Sequence, residues 1–483
     1  MIEIKMWDES FFYDVHSLVK AFYPGEEIKV FSKGAFIRSA WMEMELSLEE
    51  ELLRLALKIR GETVTDRQLR LKQDGQERKE LKNTLKRLVY QALEEYTGES
   101  LPWGTLTGIR PTKIAMGFLE QGWKNVEIAQ YMRDTYYCSS EKTALAVSIA
   151  NREREILKDI DYDQGYSLYV GIPFCPSICL YCSFSSSPIA QWENRVEEYL
   201  DALCKELAFF GEAYADRKLN TIYIGGGTPT TLNPEQLDRL LGVIGERFSY
   251  AHLKELTVEA GRPDSLTPEK LKVLKQHGVG RISVNPQTMK QETLDIIGRR
   301  HTVEQTKEAF FMAREAGFTN INMDLIIGLP GEDKEDVRRT LKELGDLSPD
   351  SITVHSLAIK RAARLALFKE KYQEMGFKNS GEIMKMTFQS CVEQELYPYY
   401  LYRQKNMAGN FENVGYARDG KAGIYNILIM EEKQTIVACG AGSISKRVYP
   451  DGRIERSENV KDVSQYIERI GEMIERKRVL LED

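Results

Sequence analysis

From about Ser167 the chain alternates short apolar runs with amphipathic, charged segments, and this rhythm constrains its fold more than any other feature. The runs SLYVGIPF (167–174), NTIYIGGGTP (220–229), ELTVEA (255–260), RISVNP (281–286), NINMDLIIGLP (320–330) and SITVHSLAI (351–359) have the length and composition of buried strands. Between them lie ENRVEEYLDALCKELAFFGEAY, NPEQLDRLLGVIGERF, TPEKLKVLKQHG, TVEQTKEAFFMAREAG and DKEDVRRTLKELGDL. Each has apolar residues near i, i+3, i+4 and i+7, the pattern of a helix with one buried face. Several open on an Asn, Thr or Asp cap, and two close on Gly278 and Gly317. Strands that alternate with helices need right-handed crossovers and so a parallel sheet. Six such units, rather than eight, predict an α/β fold built on a partial (β/α)6 barrel, with a doubly wound sheet as the alternative. In either architecture the chemistry sits at the C-terminal ends of the strands.

The flanks read differently. IEIKMW, EEIKVF and WMEMEL have strand character, and DRQLRLKQDGQERKELKNTLKRLVYQALEEY reads as one long solvated helix. Residues 1–160 are therefore expected to form a separate N-terminal α+β domain, with the barrel over 161–375. A C-terminal β-rich and helical extension over 376–483 is expected to cover the substrate. It holds a helix, SGEIMKMTFQSCVEQEL, then β-type runs YPYYLYRQKNMAGNFENVGYA, KAGIYNILIM and QTIVACGAGSIS, and a last charged helix, DVSQYIERIGEMIERKR.

Charge and composition exclude several partners. A net charge of -7 leaves no global basic footprint for nucleic acid. No apolar run reaches the roughly 18 residues of a membrane span, and MIEIKMWDESFF lacks the pattern of a signal peptide. Seven cysteines in 483 residues make no disulfide framework, so a reduced compartment, the cytoplasm, is expected. Cys138, Cys204, Cys391 and Cys439 are scattered singly and read as small buried hydrophobes.

Cys175, Cys179 and Cys182 are different. They fall in FCPSICLYC as C-x3-C-x2-C, directly after the first strand. Three thiolates on one short loop can converge on a soft metal centre. A structural zinc wants four ligands, usually in paired C-x2-C knuckles, and no second knuckle exists. A four-iron cluster also usually takes four cysteines; with three, one iron is left open for another ligand.

This spacing, with the aromatic Tyr181 before the third cysteine and a partial barrel around it, resembles the radical S-adenosylmethionine (SAM) superfamily. The resemblance implies a 4Fe–4S cluster on Cys175, Cys179 and Cys182, whose open iron binds SAM. One electron then cleaves SAM to methionine and a 5′-deoxyadenosyl radical. GGGTPT at the second strand end is similar to the superfamily motif that meets the SAM amino group. Glu259, Gln287, Arg299 and Asp324 then follow at or after successive strand ends. A zwitterionic nucleoside needs such a set, because Arg grips a carboxylate with two bonds and acids hold ammonium or ribose groups.

The ordered motifs YVGIPFCPSICLYC, GGGTPT, TVEA, PQT, GRRHT and DLIIGLPGE resemble the oxygen-independent coproporphyrinogen III oxidase family, in particular its coproporphyrinogen dehydrogenase branch. By that resemblance Tyr169, Gly226, Gly227, Thr228, Glu259, Gln287, Arg299, Asp324 and Ala358 bind SAM. The implied reaction is an oxidoreductase step of haem biosynthesis. Two propionates of coproporphyrinogen III become vinyls: a hydrogen is taken from each β-carbon, and CO2 and one electron are then lost from each, the electron passing to an acceptor. It requires no dedicated acid or base, and it calls for an electron donor, a reductase or a flavodoxin-like protein. Arg262, Lys360, Arg361, Arg403 and Lys405 are candidate grips for the substrate carboxylates, weighed against plain surface roles. Two departures stand out. Well-studied oxidases of the family carry a further cysteine where this chain has Phe184, and related haem chaperones carry a His-bearing segment where this chain has KAGIYNI. A haem-binding chaperone, another tetrapyrrole-modifying or methyl-transferring radical enzyme, and an RNA-modifying enzyme that reads RNA through residues 1–160 are the alternatives.

Overall fold

The computed structural model describes residues 1–32, 36, 40–71, 78–108, 110–358, 363–367, 379–403 and 411–482. They divide into two compact units, Met1–Asn151 and Arg152–Asp483.

The first unit is built on a mixed sheet of β1 (Ile2–Met6), β2 (Ile28–Phe31), β3 (Met42–Glu49), β4 (Leu52–Ile59) and β5 (Glu62–Arg70), in the order β2-β1-β3-β4-β5. β1 runs parallel to both β2 and β3, and β3, β4 and β5 form an antiparallel meander. Alternate residues Met42, Met44 and Leu46 are buried and share one core with Val15, Leu18 and Val19 of helix Phe12–Phe22 and Leu85 and Val89 of helix Arg78–Thr97. The long solvated helix expected from Asp66 onward is thus shorter. Its first residues belong to β5. Arg60 (φ 50°) and Gly61 (φ 87°) form a two-residue hairpin turn with both φ values positive, the geometry that matches strand twist, and the pairing it seeds overrides the charge pattern.

The second unit carries the barrel. Its parallel strands are β6 (Gly165–Ile172), β9 (Lys218–Gly226), β10 (Glu255–Glu259), β11 (Arg281–Ser283), β12 (Ile321–Ile327) and β13 (Ser351–Ser356), neighbours in sequence order. All six expected strands are present, and each crossover carries a helix, from Val196–Ala213 through Pro234–Arg247, Pro268–Gln276 and Val303–Glu315 to Lys334–Leu347. Caps foreseen in the sequence hold: Asn233, Thr267, Thr302 and Asp333 each accept from a backbone amide of the first turn. A short parallel pair, β7 (Phe174–Cys175) and β8 (Ser187–Pro188), stands apart from this sheet.

C-terminal residues complete the sheet at both edges. β15 (Asn413–Ala417) pairs antiparallel with β13, and β14 (Tyr397–Tyr402) lies outside it. At the other edge β16 (Thr435–Cys439) runs parallel to β6, followed by β17 (Ile444–Val448) and β18 (Ile454–Glu458). One expected strand is a helix: KAGIYNILIM folds as Ile424–Glu431, with Tyr425, Ile427 and Leu428 buried. An apolar run buried on several sides has no periodicity to separate the two states. Its first amide donates to the buried carboxylate of Glu255, which satisfies an orphan donor where the helix dipole is positive.

Candidate active site

β6 hands the chain to β7, and the pairing of β7 with β8 closes the base of the cysteine loop. The loop is tied down further along: Leu180 N donates to Ile297 O at 2.9 Å, and Ser177 Oγ to Gly298 O at 3.0 Å. Cys179 is buried, and Cys175 and Cys182 are half-buried. Thr228 Oγ1 lies 3.5 Å from Cys175 Sγ, and Arg262 Nη1 lies 3.8 Å from Cys179 Sγ.

The glycine run at the end of β9 packs against this loop. Gly226 adopts φ 106°, a conformation closed to most side chains. A Cβ on Gly227 would stand 2.5 Å from Phe174 O and 2.9 Å from Ile172 O. The run therefore serves first to let the second strand end dock on the backbone leading into Cys175.

The remaining strand ends line the same cavity, of about 370 Å3, with the three cysteines, Gly226, Gly227 and Thr228. Glu259 accepts from Tyr223 OH at 2.5 Å, and burial pushes its carboxyl up to about 7. Gln287 sits in left-handed backbone at φ 67°, held there because its N–H donates to Asp324 O and its carbonyl accepts from Ile326 N. Arg299 donates to Gly261 O and Asn285 O at 2.6 and 2.7 Å and to Tyr181 OH at 3.1 Å. Burial acts to raise the Asp324 carboxyl, but the His355 imidazole, 3.7 Å away, and Asn322, donating at 2.7 Å, bring it below the usual value. Tyr402 OH stands 3.3 Å from the other ring nitrogen of His355.

Two observations test whether these residues suit an iron–sulfur cluster and a nucleoside. Among the described residues no three His, Cys, Asp or Glu side chains are gathered about a single point as a one-metal site requires. A four-iron cluster places each thiolate on a different iron, and Cys175, Cys179 and Cys182 all face one cavity from one short loop. Burial pushes the Cys175 and Cys182 thiols up, so a soft metal is what would make thiolates of them. Beside them Gln287 Oε1 and Arg299 Nε are buried without a hydrogen-bond partner. Unmet polar atoms in a cavity wall mark where a polar ligand belongs. The donor set fits both groups.

Eleven of the twelve sequence-derived site residues line the cavity, Ala358 among them. Tyr169 lies one layer behind, its ring stacked on Tyr223 and Tyr425 with centroids 6.3 and 6.2 Å away. Arg262 and Arg403, candidate carboxylate grips weighed against surface roles, are both buried, at 3% and 4% exposure. Lys360, Arg361 and Lys405 lie outside the described residues. Sequence reasoning missed Asn285, His355, Tyr400, Tyr402 and Asn426, which also line the cavity. The strand-end rule pointed at Asn285 and His355, whereas the other three come from β14 and the helix misread as a strand.

The model of the radical SAM superfamily matches residues 169–344. The chain is 39% identical over 409 residues to the oxygen-independent coproporphyrinogen-III oxidase-like protein HemZ of Bacillus subtilis, spanning 84% of this chain and 82% of that protein. It is 35% identical over 194 residues to the heme chaperone HemW of Bacillus subtilis, covering 40% of this chain and 51% of the chaperone. It is 32% identical over 242 residues to the oxygen-independent coproporphyrinogen III oxidase of Escherichia coli, covering 49% of this chain and 52% of that enzyme. The solved structure of the Escherichia coli coproporphyrinogen III oxidase aligns with a TM-score of 0.53 and 25% identity, over 65% of this chain and 70% of that one. No helix among the described residues is long and apolar enough to cross a membrane.

Proposed function

The chain belongs to the radical SAM superfamily, in the family of oxygen-independent coproporphyrinogen III oxidase-like proteins, and from that premise we propose that it converts two propionates of coproporphyrinogen III to vinyls. Its cofactors are a 4Fe–4S cluster and SAM. Cys175, Cys179 and Cys182 hold the cluster, and Gly226, Gly227, Thr228, Glu259, Gln287, Arg299, Asp324 and Ala358 hold SAM, with Tyr169 supporting the stack behind them. Bound there, the cluster and SAM would supply the radical chemistry for hydrogen abstraction from the propionate. The chain's own task is to orient the substrate and keep water away. The observation that carries the reading is the convergence of the three-cysteine loop with Glu259, Gln287, Arg299 and Asp324 on one cavity.

The segment 376–483 serves as the cover over the substrate. In support, β14, β15 and the helix Ile424–Glu431 contribute Tyr400, Tyr402, Asn413, Asn426, Ile429 and Met430 to the cavity wall. The substrate carboxylates are met by cations, of which Arg262 lines the cavity and Arg403 is buried, whereas Lys360, Arg361 and Lys405 lie outside the described residues. The electron comes from a reductase or flavodoxin-like protein, and the reaction takes place in the cytoplasm.

A second reading, a haem-binding chaperone, is favoured by one feature. Phe184, at the rim where the well-studied oxidases carry a further cysteine, is 70% exposed. Against it, the segment matching the chaperone's His-bearing stretch is a buried helix without histidine. Anaerobic incubation of the reconstituted protein with SAM, dithionite and coproporphyrinogen III separates the two. Loss of two CO2 and four hydrogens per substrate supports the oxidase. Release of 5′-deoxyadenosine with the substrate mass unchanged, or tight one-to-one haem binding without turnover, sinks it.

A further inference from the structure

Arg262 follows the end of β10, in the sequence Gly261-Arg262-Pro263-Asp264. Its Nε and Nη2 donate to Asp264 Oδ1 and Oδ2 at 2.9 and 2.7 Å, a bidentate grip that fixes the plane of the guanidinium. Its Nη1 then points at the cysteine loop, 3.0 Å from Ser177 Oγ and 3.8 Å from Cys179 Sγ. At 3% exposure the charge is nearly cut off from water, while the Asp264 side chain keeps 22% exposure. Buried His301 lies behind, 3.9 Å from Asp264 Oδ1. A guanidinium in such a place meets a neutral thiol poorly and a thiolate well.

We propose that Arg262, held by Asp264, is a positioning residue that sets the reduction potential of the cluster through the Cys179 sulfur. The inference rests on Cys179 being a cluster ligand. The one-electron reduction adds a single negative charge to the cluster and its thiolates, with the electron supplied by an external low-potential donor. A hydrogen-bonding cation against one ligating sulfur stabilises that added charge, and burial keeps water from screening it. Asp264 acts oppositely on the cluster by its charge while it aims the guanidinium.

Redox titration of the reconstituted protein without SAM, followed by the electron paramagnetic resonance signal of the reduced cluster, tests this. Arg262→Gln is expected to lower the potential. At the potential where half of the parent clusters are reduced, its ratio of reduced to oxidised cluster falls about tenfold, equivalent to about 59 mV for one electron. Arg262→Lys keeps the charge and loses less. Asp264→Asn keeps an acceptor for the guanidinium, removes the opposing charge and raises the potential. Opposite shifts from the two partners are not what mere loosening of the loop would give. Arg262→Gln protein with full iron and sulfide and the parent potential overturns the proposal while leaving the ligand assignment intact. If that variant does not fold, equal potentials in the parent, Arg262→Lys and Asp264→Asn overturn it instead. A parent protein that takes up no iron or sulfide overturns the ligand assignment and this proposal together.

Discussion

The amide of Thr228 donates to the carbonyl of Phe174 at 2.7 Å, and that of Gly227 to the carbonyl of Ile172 at the same distance. The β6–β9 ladder, whose last register pair is Ile172 with Gly226, therefore continues past both strand ends, up to the residue before Cys175. Two stretches that look independent in the sequence, the glycine run and the cysteine loop, are one piece of backbone.

Gly227→Ala should disturb both. Its Cβ would meet two carbonyl oxygens of the facing strand, neither able to move without breaking the ladder. The expected outcome is a destabilisation of roughly 1–3 kcal/mol and a lower iron content after reconstitution. Unfolding curves with iron and sulfide analysis read both; full iron content at unchanged stability would contradict the docking described here.

Cys179→Ala should abolish the brown chromophore and the reductive cleavage of SAM, whereas Cys138→Ala should retain both. Absorbance spectra and 5′-deoxyadenosine release measure them. A Cys179→Ala protein that stays brown and cleaves SAM would refute the ligand assignment.

Glu259 predicts a pH dependence in the cofactor-free protein. Its folded-state pKa of about 7 stands above the ordinary 4.5, because burial disfavours the carboxylate. The folded state therefore holds the proton more tightly than the unfolded state. Stability is greatest below about pH 4.5 for this group and falls as pH rises to about 7, by roughly 2–3 kcal/mol. Glu332, likewise pushed up to about 7 by burial, acts in the same direction. Glu259→Gln should flatten its own share of the fall in the thermal midpoint between pH 4.5 and 7. A slope unchanged by the substitution would mean that Glu259 is ionised at no cost in the folded chain.

Gln287→Ala removes the unmet amide oxygen from the cavity wall. SAM affinity of the cluster-loaded protein should fall about tenfold, the loss of roughly one good hydrogen bond. Calorimetric titration would detect it, and unchanged affinity would exclude Gln287 from the SAM site.

Phe184→Cys restores the residue that well-studied oxidases carry at this position. Decarboxylation per 5′-deoxyadenosine released should rise roughly tenfold, about 1.4 kcal/mol of barrier. Product mass spectrometry gives the ratio, and no change would show that Phe184 does not limit turnover.

Much of the second unit was legible because each of its units is local. The six strands, their helices and caps are written in runs of a dozen residues, and the strand-end rule then led to Glu259 and Gln287, whereas Asp324 lies inside β12. The limits have physical causes too. The tilt of Arg262 toward Cys179 depends on Asp264 two residues on and on a loop over eighty residues earlier, a relation with no periodicity. Tyr402 reaches the cavity through pairing across the far sheet edge, and Asn426 sits on Ile424–Glu431, a helix hidden inside a mostly apolar run. Phe184 was noticed as a departure, but its exposure at the rim is a matter of tertiary packing.

The flanking of β6 by β16 and of β13 by β15 has a consequence for how the molecule is made. During synthesis the six parallel strands leave the ribosome with both outer rows of amides and carbonyls bare, and some eighty further residues pass before Thr435–Cys439 can cover β6. Bare strand rows invite pairing with other chains. A nascent polypeptide stalled or clipped before that point would be a sticky intermediate, so an orderly barrel edge beside the cysteine loop waits for translation to pass Cys439.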